Sequence, residues 1–386
     1  MRAEFLPGNL VTLLETGAAY FPALRQAIDA AEREIYLETY IFEDDQTGRM
    51  ICAALSEAAR RGVTVRVLAD GFGARDFAQR LRPQLERNGV QVLIYRPEAT
   101  PFKFKRHRLR RLHRKLAVVD GRVAFVGGIN IIDDMHTPGH VPPRYDYAVQ
   151  VEGPLLGPIH DSARHLWELV AWARLRRRFR GDTYTPAVTT WRGDMHAAFL
   201  VRDNLRHRRD IEEAYLEAID GARREIVLAN AYFLPGMRLR HALMEASRRG
   251  VTVIVLLQGR VEYLLLHYAT QALYGALLSA GVRIFEYHKS FLHAKVAVVD
   301  GRWATVGSSN IDPFSLLLAR EANVVVHNER FAEELRASLQ AAMDHGAREL
   351  KQDDWKRKPI IYRLASWISY NLVRMMIGLA GYGGKH

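Results

Sequence analysis

The stretch HRKLAVVDGRVAFVGGIN at 113–130 returns at 293–310 as HAKVAVVDGRWATVGSSN, with 12 of 18 positions identical. In each copy a histidine and a lysine two residues apart head an apolar run, so on a strand both side chains leave by the same face. The run reaches Asp-Gly, a hairpin signal, and turns back toward its start. That return carries Gly127, Gly128 and Asn130 beside His113 and Lys115, and Gly307, Ser308 and Asn310 beside His293 and Lys295. Small residues there let a ligand approach the backbone, and the asparagines add hydrogen-bond donors.

Outward from this pair the repetition continues. ALSEAARRGVTVRVLADG (54–71) recurs as ALMEASRRGVTVIVLLQG (242–259), 13 of 18 identical, and AIDAAEREIYLETYIF and AIDGARREIVLANAYF open the two halves. A period near half the chain length marks a domain duplication rather than a solenoid. Within each half, Ala-rich amphipathic segments alternate with β-branched runs such as VTVRVLAD, NGVQVLIY and AGVRIFEY, which predicts an α/β fold with helices covering a largely buried sheet. We place a first domain at 1–180, a polar linker, GDTYTPAVTTWRGD, at 181–194, a second domain at 195–350 and an unrepeated C-terminal segment at 351–386.

In that last segment Pro359 can open a helix. Ile360, Ile361, Leu364, Trp367, Ile368 and residues one and two turns on share a broad apolar face, with Arg363, Ser366 and Arg374 on a narrow polar one. Two internal arginines argue against a spanning helix and leave two readings, a helix lying on a bilayer or a terminal helix packed on the core.

The 386 residues are 48% hydrophobic, the composition of a globular chain with a sizeable core. Against 43 Asp and Glu stand 55 Lys and Arg, a formal charge of +12 that favours nucleic acid, phospholipid surfaces or phosphate esters as partners. The single cysteine, Cys52, excludes an intrachain disulfide and a cysteine zinc cluster, and is expected as a buried thiol. MRAEFLPGNLVTLLETG lacks the pattern of an export signal, which points to the cytoplasmic side.

A lysine two residues from the histidine disfavours a metal site, since an ammonium repels a cation and cannot ligate it. It favours an anion. Imidazole is a competent nucleophile and acid/base near neutrality, and lysine with asparagine are the donors expected around phosphoryl oxygens. One histidine can attack a phosphodiester while the other protonates the leaving alkoxide and then activates the incoming acceptor. Two lysines neutralise the charge, so neither a metal nor another cofactor is required. Each imidazole also needs an acid to fix its tautomer. Asp146 in RYDYAVQVEGP and Glu321 in AREANVVV, each at the start of a strand, are the candidates. Asp120 and Asp300 are counted with the catalytic set as members of the repeated motif, although the hairpin turn suits a structural role. The unrepeated histidines, among them His136, His140 and His160, read as ordinary surface or core residues.

HxKxxxxD followed by GGxN or GSxN, present twice, resembles the signature of the phospholipase D superfamily. ETYIFEDD, LHAKVAVVDGRWATVGSSNIDPFS and EAN look like the bacterial cardiolipin synthases, in the shorter form without N-terminal transmembrane helices. The resemblance covers nearly the whole chain. It implies two tandem domains, each a mixed β-sheet flanked by helices, related by a pseudo-two-fold with one active site between them. It implies a pocket of His113, Lys115, Asn130, His293, Lys295, Asn310 and Ser308, with Asp146 and Glu321 orienting the imidazoles and His113 as nucleophile. The implied reaction moves a phosphatidyl group from phosphatidylglycerol to a hydroxyl of a second headgroup, with phosphatidylethanolamine as a candidate co-substrate, on the cytoplasmic face of the cell membrane. Gly128 departs from the usual serine, and the two halves use different acids.

Hydrolysis to phosphatidic acid is the rival outcome within this chemistry. A nuclease is the rival substrate class, because KFKRHRLRRLHRK at 103–115 suits DNA phosphates as well as lipid headgroups. The apolar, tryptophan-containing tail disfavours nucleic acid. A non-enzymatic membrane-binding protein is disfavoured by both motif copies being intact.

Overall fold

Valine- and isoleucine-rich runs become buried strands and the alanine-rich stretches between them become helices, in the same order twice. The computed structural model describes residues 3–97, 111–137, 139–175, 185–203, 207–261, 263–312 and 319–377. The first half runs β1 (Leu6–Glu15), α1 (Thr16–Asp29), β2 (Glu34–Thr39), α2 (Gln46–Arg60), β3 (Thr64–Asp70), α3 (Arg75–Arg80), α4 (Arg82–Arg87), β4 (Gln91–Tyr95), β5 (Lys115–Val119), β6 (Val123–Gly127), β7 (Arg144–Tyr145), β8 (Tyr147–Glu152) and α5 (Leu156–Ala173). The second runs β9 (Met195–Arg202), α6 (Asp210–Gly221), β10 (Glu225–Asn230), α7 (Met237–Arg248), β11 (Thr252–Gln258), α8 (Leu264–Gln271), α9 (Tyr274–Ser279), β12 (Arg283–Tyr287), β13 (Phe291–Leu292), β14 (Lys295–Val299), β15 (Trp303–Gly307), β16 (Glu321–His327) and α10 (Glu329–Gly346). β17 (Ala347–Leu350), α11 (Gln352–Lys356) and α12 (Ile360–Ile377) follow.

Strand order is β4-β3-β2-β5-β6-β8-β1 in one half and β12-β11-β10-β14-β15-β16-β9 in the other, with β17 outside β12. These orders are the same list of equivalent strands, so the duplication in sequence is a duplication in topology. β2, β3 and β4 pair parallel while β5, β6 and β8 pair antiparallel, a mixed sheet. β1 and β9 pair antiparallel at Leu6–Ala197 and Asn9–Met195 and join the halves into one 15-stranded sheet. Beyond this seam β6 and β8 approach β15 and β16, so the two halves of the sheet also meet there.

Three apolar cores result. One lies under α1 to α4, one under α6 to α9, and a third, containing α5 and α10, is shared by both halves. Cys52 is buried in the first, where burial pushes its thiol up to about 11.

Each β5–β6 and β14–β15 hairpin turns at Asp-Gly with positive φ at both residues: 52° and 59° at Asp120 and Gly121, 54° and 67° at Asp300 and Gly301. The described part of the expected linker follows the first half. Val188 N–H donates to Gly121 O at 2.8 Å, and the Trp191 ring lies so close to Gly8 that a Cβ there would come within 2.5 Å of it.

α12 packs along α8 through Tyr362, Ser366, Tyr370 and Val373. Ser366 is fully buried rather than on an exposed polar face, with its hydroxyl returned to Tyr362 O at 3.0 Å. The wide apolar face points outward: Ile360 is 82% exposed, Trp367 61% and Met375 56%. Among the described residues no helix is long and apolar enough to cross a membrane. Residues 378–386 and most of the basic stretches at 103–115 and 173–180 lie outside the described residues.

Candidate active site

β5 and β14 begin at Lys115 and Lys295, and pairing of Lys115 with Gly127 places the glycine-rich return of β6 beside the lysine, as the hairpin reading expects. Both HxK segments emerge where the two half-sheets meet. There the chain forms two short cross-half pairings. Leu112 bridges to Arg320, and His113 N–H donates to Arg320 O at 2.9 Å. β13 runs parallel to β7, and His293 N–H donates to Tyr145 O at 2.8 Å. Each histidine is thereby fixed beside the residue that precedes the other half's carboxylate.

The acids consequently cross over. His113 Nδ1–H donates to Glu321, 2.9 Å from Oε1 and 3.1 Å from Oε2. His293 Nδ1–H donates to Asp146 Oδ2 at 2.6 Å. With Nδ1 protonated and held, Nε2 carries the lone pair that can meet a phosphorus. Glu321 and Asp146 are buried, so each bond lies in a low-dielectric interior.

The lysines occupy the same interior. Lys115 Nζ donates to His113 O at 2.6 Å and stands 5.5 Å from the centre of the Tyr40 ring. Lys295 Nζ lies 3.2 Å from Asp146 Oδ2 and 2.7 Å from His293 Nδ1, and it donates to His293 O. Burial pushes Lys115 down to about 7, against the pull of Glu321, and pushes Lys295 down against Asp146. Burial and then Lys295 push His293 down to about 3; His113 is lowered by burial, with Glu321 opposing. For Asp146, burial acts upward but Lys295 and His293 outweigh it, so its carboxyl is held below the usual range. Burial thus favours neutral imidazoles and disfavours the lysine cations, which an anion between them would stabilise.

Not every expected residue meets the pocket. Asp120 and Asp300, counted with the catalytic set, serve the turns instead. The Asp120 carboxylate accepts from the N–H groups of Glu32, Arg33 and Glu34 at 2.8 to 2.9 Å, and Asp300 does the same for Arg223, Arg224 and Glu225 at 2.8 to 3.0 Å. Three backbone donors each leave them no role at phosphorus. Ser308, expected on phosphate, donates to Glu321 Oε2 at 2.5 Å and accepts from Ala322 N–H at 3.0 Å, so it steadies the acid. Asn130 Oδ1 accepts from Ile41 N–H at 3.0 Å, which leaves its NH2 as the donor end; Asn310 is buried at the matching position.

Other residues escaped the sequence reading. The Tyr40 ring lies 4.9 Å from that of His113, and its counterpart is Ala231. Arg114, buried between His113 and Lys115 in sequence, holds Glu38 through Nε and, at 2.6 Å, through Nη2; it also reaches Ser162 Oγ at 2.8 Å. In the second half Glu38 and Arg114 are replaced together by Ala229 and Ala294. That joint change was the available signal.

Comparison with known proteins agrees with this architecture. The family model described as cardiolipin synthase, PLD-like domain matches residues 24–137 and 215–343, one segment in each half. Cardiolipin synthase B of Escherichia coli is 36% identical over 100% of this chain and 93% of its own length. The cardiolipin synthase of Geobacillus kaustophilus is 29% identical over 92% of this chain and 70% of its own. In fold, the phosphatidylserine synthase of Haemophilus influenzae superposes with a TM-score of 0.69 at 14% identity, covering 98% of this chain and 97% of that one. With its duplicated His–Lys pairs set in two phospholipase D-like halves, the chain belongs to the cardiolipin synthase family.

Proposed function

We propose that the protein makes cardiolipin through a phosphohistidine. His113 Nε2 attacks the phosphorus of phosphatidylglycerol, the bond to the headgroup glycerol breaks, and His293 gives that glycerol its proton. His293 then takes a proton from a hydroxyl of a second phospholipid headgroup, whose oxygen displaces His113. One phosphoester bond is broken and one made, so no nucleotide is consumed. The observation that carries this reading is the crossed pair of imidazole–carboxylate bonds, which directs two Nε2 atoms and two ammonium groups toward one space. Burial and then the Lys295 field keep the His293 ring deprotonated, so substrate binding brings a proton with it as the phosphate charge offsets that field.

We place the protein peripherally on the cytoplasmic face of the cell membrane, and the exposed face of α12 supports contact with a bilayer surface. A row of large apolar side chains on a helix anchored by its opposite side suits the boundary between headgroups and acyl chains. Replacing Leu364 and Ile368 with Glu on the full chain should weaken sedimentation with phosphatidylglycerol vesicles while melting stays near that of the parent; unchanged sedimentation rejects this placement. For the reaction, isotopically labelled phosphatidylglycerol, alone or with phosphatidylethanolamine, is followed by mass spectrometry. Labelled cardiolipin and a peptide carrying the phosphatidyl group on His113 are expected. Phosphatidic acid as the sole product would identify a hydrolase, and a phosphatidyl group on His293 would reverse the roles.

A further inference from the structure

We propose that Arg144 and His140 form a second anion subsite, which holds the phosphate of the acceptor lipid while the reacting phosphorus lies between His113 and His293. The proposal rests on the phosphatidyl-transfer reading and specifies how the acceptor is recognised.

Three side chains surround the ring of Phe291. The Arg144 guanidinium lies 5.0 Å from its centre, the His140 ring 4.4 Å away, and the His293 ring 6.0 Å away in a stacked arrangement. A single aromatic ring therefore separates the catalytic imidazole from a pair of nitrogen donors. Arg144 is buried, and its Nη2 donates to His136 O at 3.3 Å. Arg144 Nε and His140 Nδ1 are both buried without a hydrogen-bond partner among the described residues. Orphaned buried donors are rare, and a charged one is the costliest kind to leave unmet.

The carboxylates within its reach are already engaged. Asp134 Oδ2 accepts from Gly17 N–H at 2.5 Å, and Asp146 is held by His293 and Lys295. Among the described residues no carboxylate pairs with Arg144 as a salt bridge, yet its charge is felt at Asp134, His293 and Lys295. The duplication supplies no counterpart: the matching position is Ala319. Arg144 is thus outside the repeated machinery that handles the reacting phosphorus.

The chemistry calls for such a group. Cardiolipin carries two phosphodiesters on one glycerol, so the attacking hydroxyl arrives tied to a second negative phosphate. Bringing two phosphates together needs cationic donors beyond the two lysines, and a guanidinium fork suits a phosphate oxygen pair. Water or free glycerol has no second phosphate and makes no such demand.

The test uses the full chain carrying Arg144→Gln, on phosphatidylglycerol vesicles with labelled glycerol in solution. Two rates are read, cardiolipin formation and exchange of labelled glycerol into phosphatidylglycerol, which share the donor step and differ in the acceptor. The ratio of cardiolipin formation to glycerol exchange is expected to fall tenfold or more, and His140→Ala should lower it less. A ratio that stays constant in both variants, whether the two rates fall together or hold, overturns the subsite and leaves Arg144 a structural role beside Phe291. Should the glutamine variant melt early, Arg144→Lys keeps the charge without the fork, and an unchanged ratio there and in His140→Ala counts against the proposal equally. A parent protein that performs neither reaction rejects phosphatidyl transfer itself and the subsite with it.

Discussion

The two catalytic corners reach one geometry by different means. At His113 the acid is a glutamate, steadied by Ser308, and the strand beneath is tied down by the buried Arg114–Glu38 pair. At His293 the acid is the shorter aspartate, the serine position is Gly128, and the strand rests on Ala294 and Ala229. Gly128 cannot carry a side chain, because a Cβ would fall 2.3 Å from Asp146 Oδ1. Aspartate with glycine and glutamate with serine are therefore matched sets. Duplication retained the His–Lys pairs and let the supports diverge in concert, so the difference separates the proposed reacting groups from the residues that place them.

The largest expected effect tests the crossed acids. Asp146→Asn or Glu321→Gln should each cut kcat by roughly 10³- to 10⁴-fold, as loss of an orienting carboxylate does elsewhere. An exchange of Asp146 with Glu321 should fail as well, since each fits only its own neighbour. Activity in either single variant within tenfold of the parent would break the comparison.

Next come the neighbours. Gly128→Ser should displace Asp146 and cost about 10²-fold in kcat, in line with a displacement of about 1 Å. Ser308→Gly removes one hydrogen bond to Glu321 and should cost less than about tenfold. Equal losses would show that the two sets are not matched.

The supports beneath the strands can be compared in urea. Arg114→Ala alone leaves Glu38 buried and unpaired and should destabilise by about 3–5 kcal/mol, whereas the double variant with Glu38→Ala copies the second half and should recover most of that. Failure of the double change to recover stability would indicate that Ser162 or α5 needs the arginine for itself.

Lysine titration supplies a smaller effect with a definite sign. Lys115 loses its proton near 7 in the free enzyme, and only the protonated form attracts the phosphate. Hence kcat/KM should be full below about pH 7 and fall by up to tenfold per unit above it. Lys115→Arg, which stays charged, should flatten that limb in whatever activity it keeps. The smallest effect is a symmetric control: Asp120→Asn and Asp300→Asn should each cost about 1–2 kcal/mol of stability with little change in kcat at permissive temperature. Unequal losses would mean that one turn reports on the pocket.

The pocket residues were legible because repetition filters a sequence. His113, Lys115, His293 and Lys295 recur at fixed spacing, and the Asp-Gly turns supply the hairpins that bring Gly127 and Gly307 back. The crossing of Asp146 and Glu321 was not legible, because a contact between halves leaves no trace in local spacing. β1 and β9 escaped notice for a related reason. LPGNLVTLLE and MHAAFLVR are modest strand formers whose partners lie far along the chain, and their pairing makes one sheet of two. For α12 the amphipathic pattern was plain, but periodicity does not say which face the protein covers. Tyr362, Ser366 and Val373 decide it by fitting α8, and the broad face is left outside.

The crossed acids also bear on how such an enzyme is born. A ribosome adds 208 residues after His113 to reach Glu321, and 147 after Asp146 to reach His293. During that interval the emerging first half holds a histidine without its orienting carboxylate and a carboxylate without its histidine. Both imidazoles are oriented only once residue 321 has been made, and a product truncated before it lacks the carboxylate that holds His113.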